Sequence, residues 1–167
     1  MACTLTTACG GRDMDNASKA GRRLRHRQAQ PLGKYRIGVM TTHKGGCHCG
    51  AVKYEVEAPE DLDISECNCS ICSKSGYLHL IVPRNKFHLL SGEENLETYT
   101  FDTHEAKHLF CKTCGIKSFY IPRSHPDGIS VNARCLDNST IKSITIEQFD
   151  GKNWEANSHK LNPLDNI

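Results

Sequence analysis

The chain has 167 residues, 38% of them hydrophobic, and a formal net charge of +2 at pH 7, which is long enough for one domain with a real core. No apolar run approaches the roughly 18 residues that cross a bilayer as a helix, and the first residues lack the apolar stretch of a secretory signal. These exclusions predict an intracellular protein, cytoplasmic or nuclear, with no membrane contact; disulfides rarely persist there, so the ten cysteines point to metal ligation.

Charge is spread unevenly. Residues 1–38 carry eight basic and two acidic side chains, a net of +6, whereas residues 39–167 net −4. Residues 1–40 hold few large apolar side chains and no sustained periodicity, a composition that predicts a disordered basic tail. Its stretch "GRRLRHRQAQ" reads as a solvated tail, as a patch for chromatin, RNA or microtubules spanning residues 12–36, or as a weak presequence, against which Asp13 and Asp15 count. Cys3 and Cys9 fall in this tail and read as incidental.

From residue 41 to 157 the pattern is that of one β domain, followed by a polar C-terminal tail over 158–167. "AVKYEVE" at 51–57 alternates, with Val52, Tyr54 and Val56 on one face and Lys53, Glu55 and Glu57 on the other. "YLHLIVP", "FHLLSG", "LETYTF", "HLFC", "IKSFYIP", "ISVNA" and "SITIEQF" follow, each short, rich in β-branched or aromatic residues, and bounded by Gly, Pro, Asn or Asp. Helical pattern is confined to a turn at "SICSKSG" and a short piece near Trp154, whose ring is expected to pack. The fold class is all-β.

Two cysteine constellations carry the chemistry. "GGCHCG" supplies Cys47 and Cys49, and "FCKTCG" supplies Cys111 and Cys114. Two close pairs beside glycines at strand ends make a ribbon-like zinc site, and four thiolates close a tetrahedron. The expected role is structural, and His48, between two ligands, is expected to point away. The second constellation, "CNCSIC", holds Cys67, Cys69 and Cys72. Three protein ligands leave a fourth position for substrate, the mark of a catalytic zinc. Cys135, His79, His104 or His108 could instead close the site, or the three thiols could form an unmetallated redox cluster. The count of zinc ions expected is two per chain. Lys74, Arg84, Arg123 and Arg134 are candidate cations for a substrate carboxylate.

"KGGCHCGAVKYEV", "CNCSIC", "FCKTCGIKSFY" and "ARCLD", in this order and spacing, resemble the glutathione-dependent formaldehyde-activating enzyme family, over residues 43–157, and within it the branch of centromere protein V. The resemblance implies a β-tent of layered antiparallel sheets stapled by zinc, with Cys47, Cys49, Cys111 and Cys114 on the structural ion and Cys67, Cys69 and Cys72 on the catalytic one. It implies a carbon–sulfur lyase that joins glutathione to formaldehyde as S-hydroxymethylglutathione. It equally implies a non-enzymatic alternative, a module that associates with chromatin or microtubules through its basic tail.

Overall fold

Alternation decides which face each strand buries. In β2 (Lys53–Pro59) Tyr54, Val56 and Ala58 are buried, whereas Lys53 is exposed and Glu55 and Glu57 are half-buried, the period-two pattern of a strand with one wet face. The computed structural model describes residues 38–161 and 164; the basic stretch over 12–36 lies outside the described residues, and with it the expected tail contacts. β2 pairs antiparallel with β1 (Met40–Gly46) and with β5 (Phe87–Ser91), giving a three-stranded sheet in the order β1-β2-β5.

A second sheet has five strands in the order β10-β3-β4-β9-β8. They are β3 (Asp61–Cys67), β4 (Leu78–Pro83), β8 (Phe119–Tyr120), β9 (Gly128–Asn132) and β10 (Ser143–Phe149). A two-stranded hairpin, β6 (Leu96–Tyr99) against β7 (His108–Cys111), forms its own ladder and is bridged to the end of β8 by paired backbone hydrogen bonds between Lys107 and Ile121. The all-β reading holds, and every segment picked out as a strand contributes to one. One pair departs from an antiparallel arrangement: β10 runs parallel to β3, in register from Ser143↔Asp61 to Phe149↔Cys67. A parallel neighbour needs a long crossover, and β10 returns to β3 only after the chain has built β4 to β9.

The five-stranded sheet has two different faces. Leu62 and Ile64 of β3, Leu78, Leu80 and Val82 of β4, Phe119 of β8, and Ile129 and Val131 of β9 join the buried side chains of β2 in one core. There the Tyr54 ring lies 5.1 Å from Phe87 and 5.6 Å from Phe119. Burying each Val, Leu or Ile in this way contributes about 1.5–3 kcal/mol. The opposite parity of the same strands, Ser65 and Cys67, His79 and Ile81, Tyr120, and Phe149, faces a cavity.

Two helices are short: α1 (Ser70–Ser75) follows Cys69, and α2 (Trp154–Asn157) carries Trp154. α1 ends on Gly76, whose left-handed φ of 57° lets its N–H reach the Cys72 carbonyl. β1 and β3 were not legible as strands. In β3 the acidic residues Asp61, Asp63 and Glu66 disfavour a strand by propensity, yet Leu62 and Ile64 alternate between them and decide the outcome.

Gly92 marks where the three-stranded sheet turns away. Its φ is 90°, and a Cβ there would collide with the Ala51 carbonyl oxygen and stand 2.9 Å from the carbonyl carbon. Gly92→Ala is therefore expected to lower the urea midpoint at unchanged m-value, by about 1–3 kcal/mol for the backbone conformation alone and more for the collision. Gly76→Ala, also left-handed but with no atom within 4 Å, is expected to lose only the conformational part, about 1–2 kcal/mol.

Candidate functional site

The four-cysteine group is built by two tight turns. After β1, the Cys47 N–H donates to the Val52 carbonyl at 3.0 Å and the Gly50 N–H to the Cys47 carbonyl at 3.2 Å. At the end of β7, the Gly115 N–H donates to the Cys111 carbonyl at 2.8 Å. Gly50 and Gly115 both sit at positive φ, 77° and 72°, as the glycine beside each pair leads one to expect. The Val52 N–H donates to Cys47 Sγ at 3.3 Å. The Sγ atoms of Cys47, Cys49, Cys111 and Cys114 all lie within 4.8 Å of one another, with Cys47–Cys49 at 3.5 Å and Cys49–Cys111 at 3.7 Å. Thiolates 2.3 Å from a tetrahedral zinc stand about 3.8 Å apart, so the donor set fits such an ion. His48 is exposed, as expected.

The second group is Cys67, Cys69 and Cys72, whose Sγ atoms again lie within 4.8 Å of one another. Cys67 ends β3, Cys69 caps α1 and Cys72 sits in its first turn. Asn68, between the first two, clips this loop to the segment after β10: its N–H donates to the Phe149 carbonyl at 3.2 Å, its side-chain amide donates to Asp150 at 2.9 Å, and its side-chain oxygen accepts from the Lys152 N–H at 2.9 Å. The clip brings Gly151 against Cys67 Sγ so closely that a Cβ would collide with the sulfur. Sequence spacing gave no sign of Asn68 or Gly151, because the contact spans more than 80 residues.

Crowding sets the protonation of the trio. Hydrogen bonds from the Cys67 and Cys72 thiols pull Cys69 down to about 2, while Cys67 and Cys69 together push Cys72 far up, helped by burial. Three thiolates at this spacing therefore call for a cation between them. Of the side chains that could close the trio, none does among the described residues. Cys135 lies on the side of the other group, where burial and then Cys47 and Cys114 push it up to about 11. His104 is exposed and paired with Thr100 at 3.0 Å. His79 and His108 line the cavity, but neither brings a nitrogen into the group of three sulfurs.

The cavity measures about 690 Å³ and has the trio in its wall, within the size usual for small-ligand sites. Of the four candidate cations only Arg123 lines it, and Lys152 joins unforeseen. The Arg123 guanidinium lies 4.5 Å from the centre of the Trp154 ring, 3.5 Å from Glu155 and 3.9 Å from Asp102. Trp154 does pack, edge-on to Phe149 at 5.8 Å, and it also forms part of the cavity wall. Lys74, Arg84 and Arg134 do not line the cavity, and Arg134 instead donates to the Gly76 carbonyl at 2.9 Å.

The wall behind the trio is aromatic and polar at once. His108 stacks on Tyr120 at 4.9 Å and on Phe101 at 5.4 Å. Burial, and after it the charge of Lys117, holds His79 and His108 both at about 4, so both are neutral near pH 7. Lys117 Nζ is buried without a hydrogen-bond acceptor among the described residues, 4.5 Å from the centre of the Tyr77 ring and 5.1 Å from that of Tyr120.

No helix among the described residues is long and apolar enough to cross a membrane. The family model for the glutathione-dependent formaldehyde-activating enzyme matches residues 42–152. A Halomonas elongata protein assigned as a candidate glutathione-dependent formaldehyde-activating enzyme is 26% identical over 102 residues, covering 56% of this chain and 65% of its own length. The chain thus spans somewhat less than two thirds of that relative. The crystal structure of a Rhodobacter sphaeroides protein is similar at 36% identity with a TM-score of 0.54, over 62% of this chain and 99% of the other. Neither description mentions centromere protein V or chromatin. With the family model matching residues 42–152, which hold all seven cysteines of the two groups, the chain belongs to the glutathione-dependent formaldehyde-activating enzyme family.

Proposed function

We propose that this chain is a zinc-dependent enzyme of the carbon–sulfur lyase type, which joins a small thiol such as glutathione to formaldehyde, or cleaves the resulting S-hydroxymethyl adduct. The observation that carries this reading is the three-sulfur group in a cavity wall with no fourth side-chain ligand among the described residues. Cys47, Cys49, Cys111 and Cys114 are the ligands of a structural zinc, and Cys67, Cys69 and Cys72 those of a catalytic one. All-sulfur donor sets favour zinc over the harder divalent metals. When bound at the trio, zinc supplies a Lewis-acidic position that favours the thiolate form of a thiol.

The chain's own residues do the rest. Trp154 and Phe149 supply an apolar floor. Arg123 and Lys152 supply positive charge for a substrate carboxylate, with Arg123 held in place by its stacking on Trp154. The Asp102 and Glu155 carboxylates that Arg123 faces are 73% and 90% exposed; an incoming carboxylate can displace such solvated partners at little cost. Chromatin or microtubule association through residues 12–36 finds no support in the matched family or relatives.

Metal analysis of the purified protein tests the ligand assignment. Two zinc ions per chain are expected in wild type and one in Cys69→Ser, with glutathione binding lost together with that ion. Wild type with two zinc ions and no thiol binding would sink the enzymatic reading. Gly151→Ala, which forces Cys67 Sγ aside, is expected to reduce zinc to near one per chain with all seven ligand cysteines in place. Arg123→Met is expected to raise KM for glutathione about 10-fold or more, the worth of one hydrogen bond to a charged group, with metal content unchanged. An unchanged KM would remove Arg123 from the site.

A further inference from the structure

Among the described residues, three buried side-chain nitrogens without a hydrogen-bond partner, His79 Nε2, His108 Nδ1 and Lys117 Nζ, belong to side chains packed around Tyr120. A buried polar atom left unpaired costs about 1–3 kcal/mol, so a cluster of them in one wall points to a task. His79 stands out because its other nitrogen is fully occupied. Nδ1 lies 3.1 Å from Ser130 Oγ and 3.4 Å from the Tyr120 hydroxyl.

The two neighbouring hydroxyls favour one tautomer. Burial, together with the nearby thiol group, keeps Tyr120 protonated, so Ser130 and Tyr120 bring two hydroxyl protons to this corner. With Nδ1 bare, it accepts from one hydroxyl while that oxygen can accept from the other, and both protons are placed. With a proton on Nδ1, three protons would compete for two oxygens. The ring proton therefore belongs on Nε2, which leaves an N–H donor with no partner in a side chain only 6% exposed. His79 lines the same cavity as Cys67, Cys69 and Cys72.

We propose that the His79 Nε2–H is the donor for the aldehyde oxygen, resting on the thiol–formaldehyde reading above, and that Ser130 and Tyr120 are positioning residues that hold its tautomer. In the forward direction the thiol gives its proton to solvent and its sulfur attacks the aldehyde carbon. The carbon–sulfur bond forms as the carbonyl π pair moves onto oxygen, and the oxygen takes a proton from water to finish the hemithioacetal. His79 keeps its proton throughout. It stabilises the charge that grows on oxygen and, being neutral, does not hold the attacking thiolate in an ion pair. A donor shielded from water and already oriented is worth more here than one in solvent.

The experiment pairs kinetics with a direct view of the ring. In zinc-loaded wild type, two-bond proton–nitrogen NMR of His79 should show Nε2 protonated and Nδ1 bare. His79→Phe, which keeps the ring's volume without a donor, should lose about 100- to 1000-fold in kcat/KM for glutathione–formaldehyde exchange, with two zinc ions and glutathione affinity retained. His79→Gln, whose amide restores a donor near Nε2, should recover part of that loss. An Nδ1–H tautomer overturns the proposal even if His79→Phe fails to fold, and so does a folded, zinc-loaded His79→Phe with wild-type kcat/KM. A wild type that accelerates no exchange overturns the preceding reading and this one with it; an active wild type with an unaffected His79→Phe overturns this one alone.

Discussion

Thiolates within 4.8 Å of one another, the limit inside each cysteine group, repel strongly wherever water screens them poorly. Seven cysteines are gathered into two such groups, one drawn from two distant segments and one from a single loop. The first joins the turn after β1 to the end of β7, and so couples the three-stranded sheet to the hairpin. The second draws the end of β3 and the start of α1 into one loop. As thiols the groups are frustrated, with protons unevenly shared; as thiolates they need a cation. If these groups take up a metal, its uptake and the closing of these loops form one equilibrium.

Between the two groups stands the five-stranded sheet, and its parity sorts core from chemistry. A strand sends alternate side chains to opposite faces, so β4 can supply Leu78, Leu80 and Val82 to the core and His79 and Ile81 to the cavity without any irregularity. β8 does the same with Phe119 and Tyr120, while β9 sends Val131 to the core and Ser130 to the His79 ring. The reacting side is thus fixed by the packing of the other side. A rigid sheet places Cys67, His79 and Tyr120 more firmly than loops would, while Arg123, Lys152 and Trp154 come from connections and a short helix.

What the sequence made legible follows from how local each signal is. The cysteine spacings are local and chemically specific, so both groups could be read from them. Strand alternation is local too, and it located β2 and most of the others. His79 was visible only as a candidate ligand, because a histidine inside the apolar run "YLHLIVP" gives no hint of which face it takes or what its nitrogens meet. Asn68 and Gly151 were silent for a different reason. Their roles depend on β10 returning in parallel beside β3, a long-range pairing that leaves no periodic trace. Arg123 could not be told from Lys74, Arg84 or Arg134 by composition, since only the fold decides which cation meets Trp154.

Lys117 completes the electrostatics of the site. Three thiolates outweigh the charge of one divalent ion, and a thiolate substrate would add a further negative charge in a poorly hydrated place. The Lys117 Nζ lies buried against the faces of Tyr77 and Tyr120. Burial lowers the pKa of that amine, while the charges of Cys72, Cys69 and Cys67 act to raise it. Aromatic faces stabilise a cation without neutralising it, so the positive field of Lys117 remains available to the sulfur atoms. The same field helps to keep His79 and His108 neutral. The tyrosine rings that flank Lys117 also pack against His79, so the lysine and the neutral histidine share one wall.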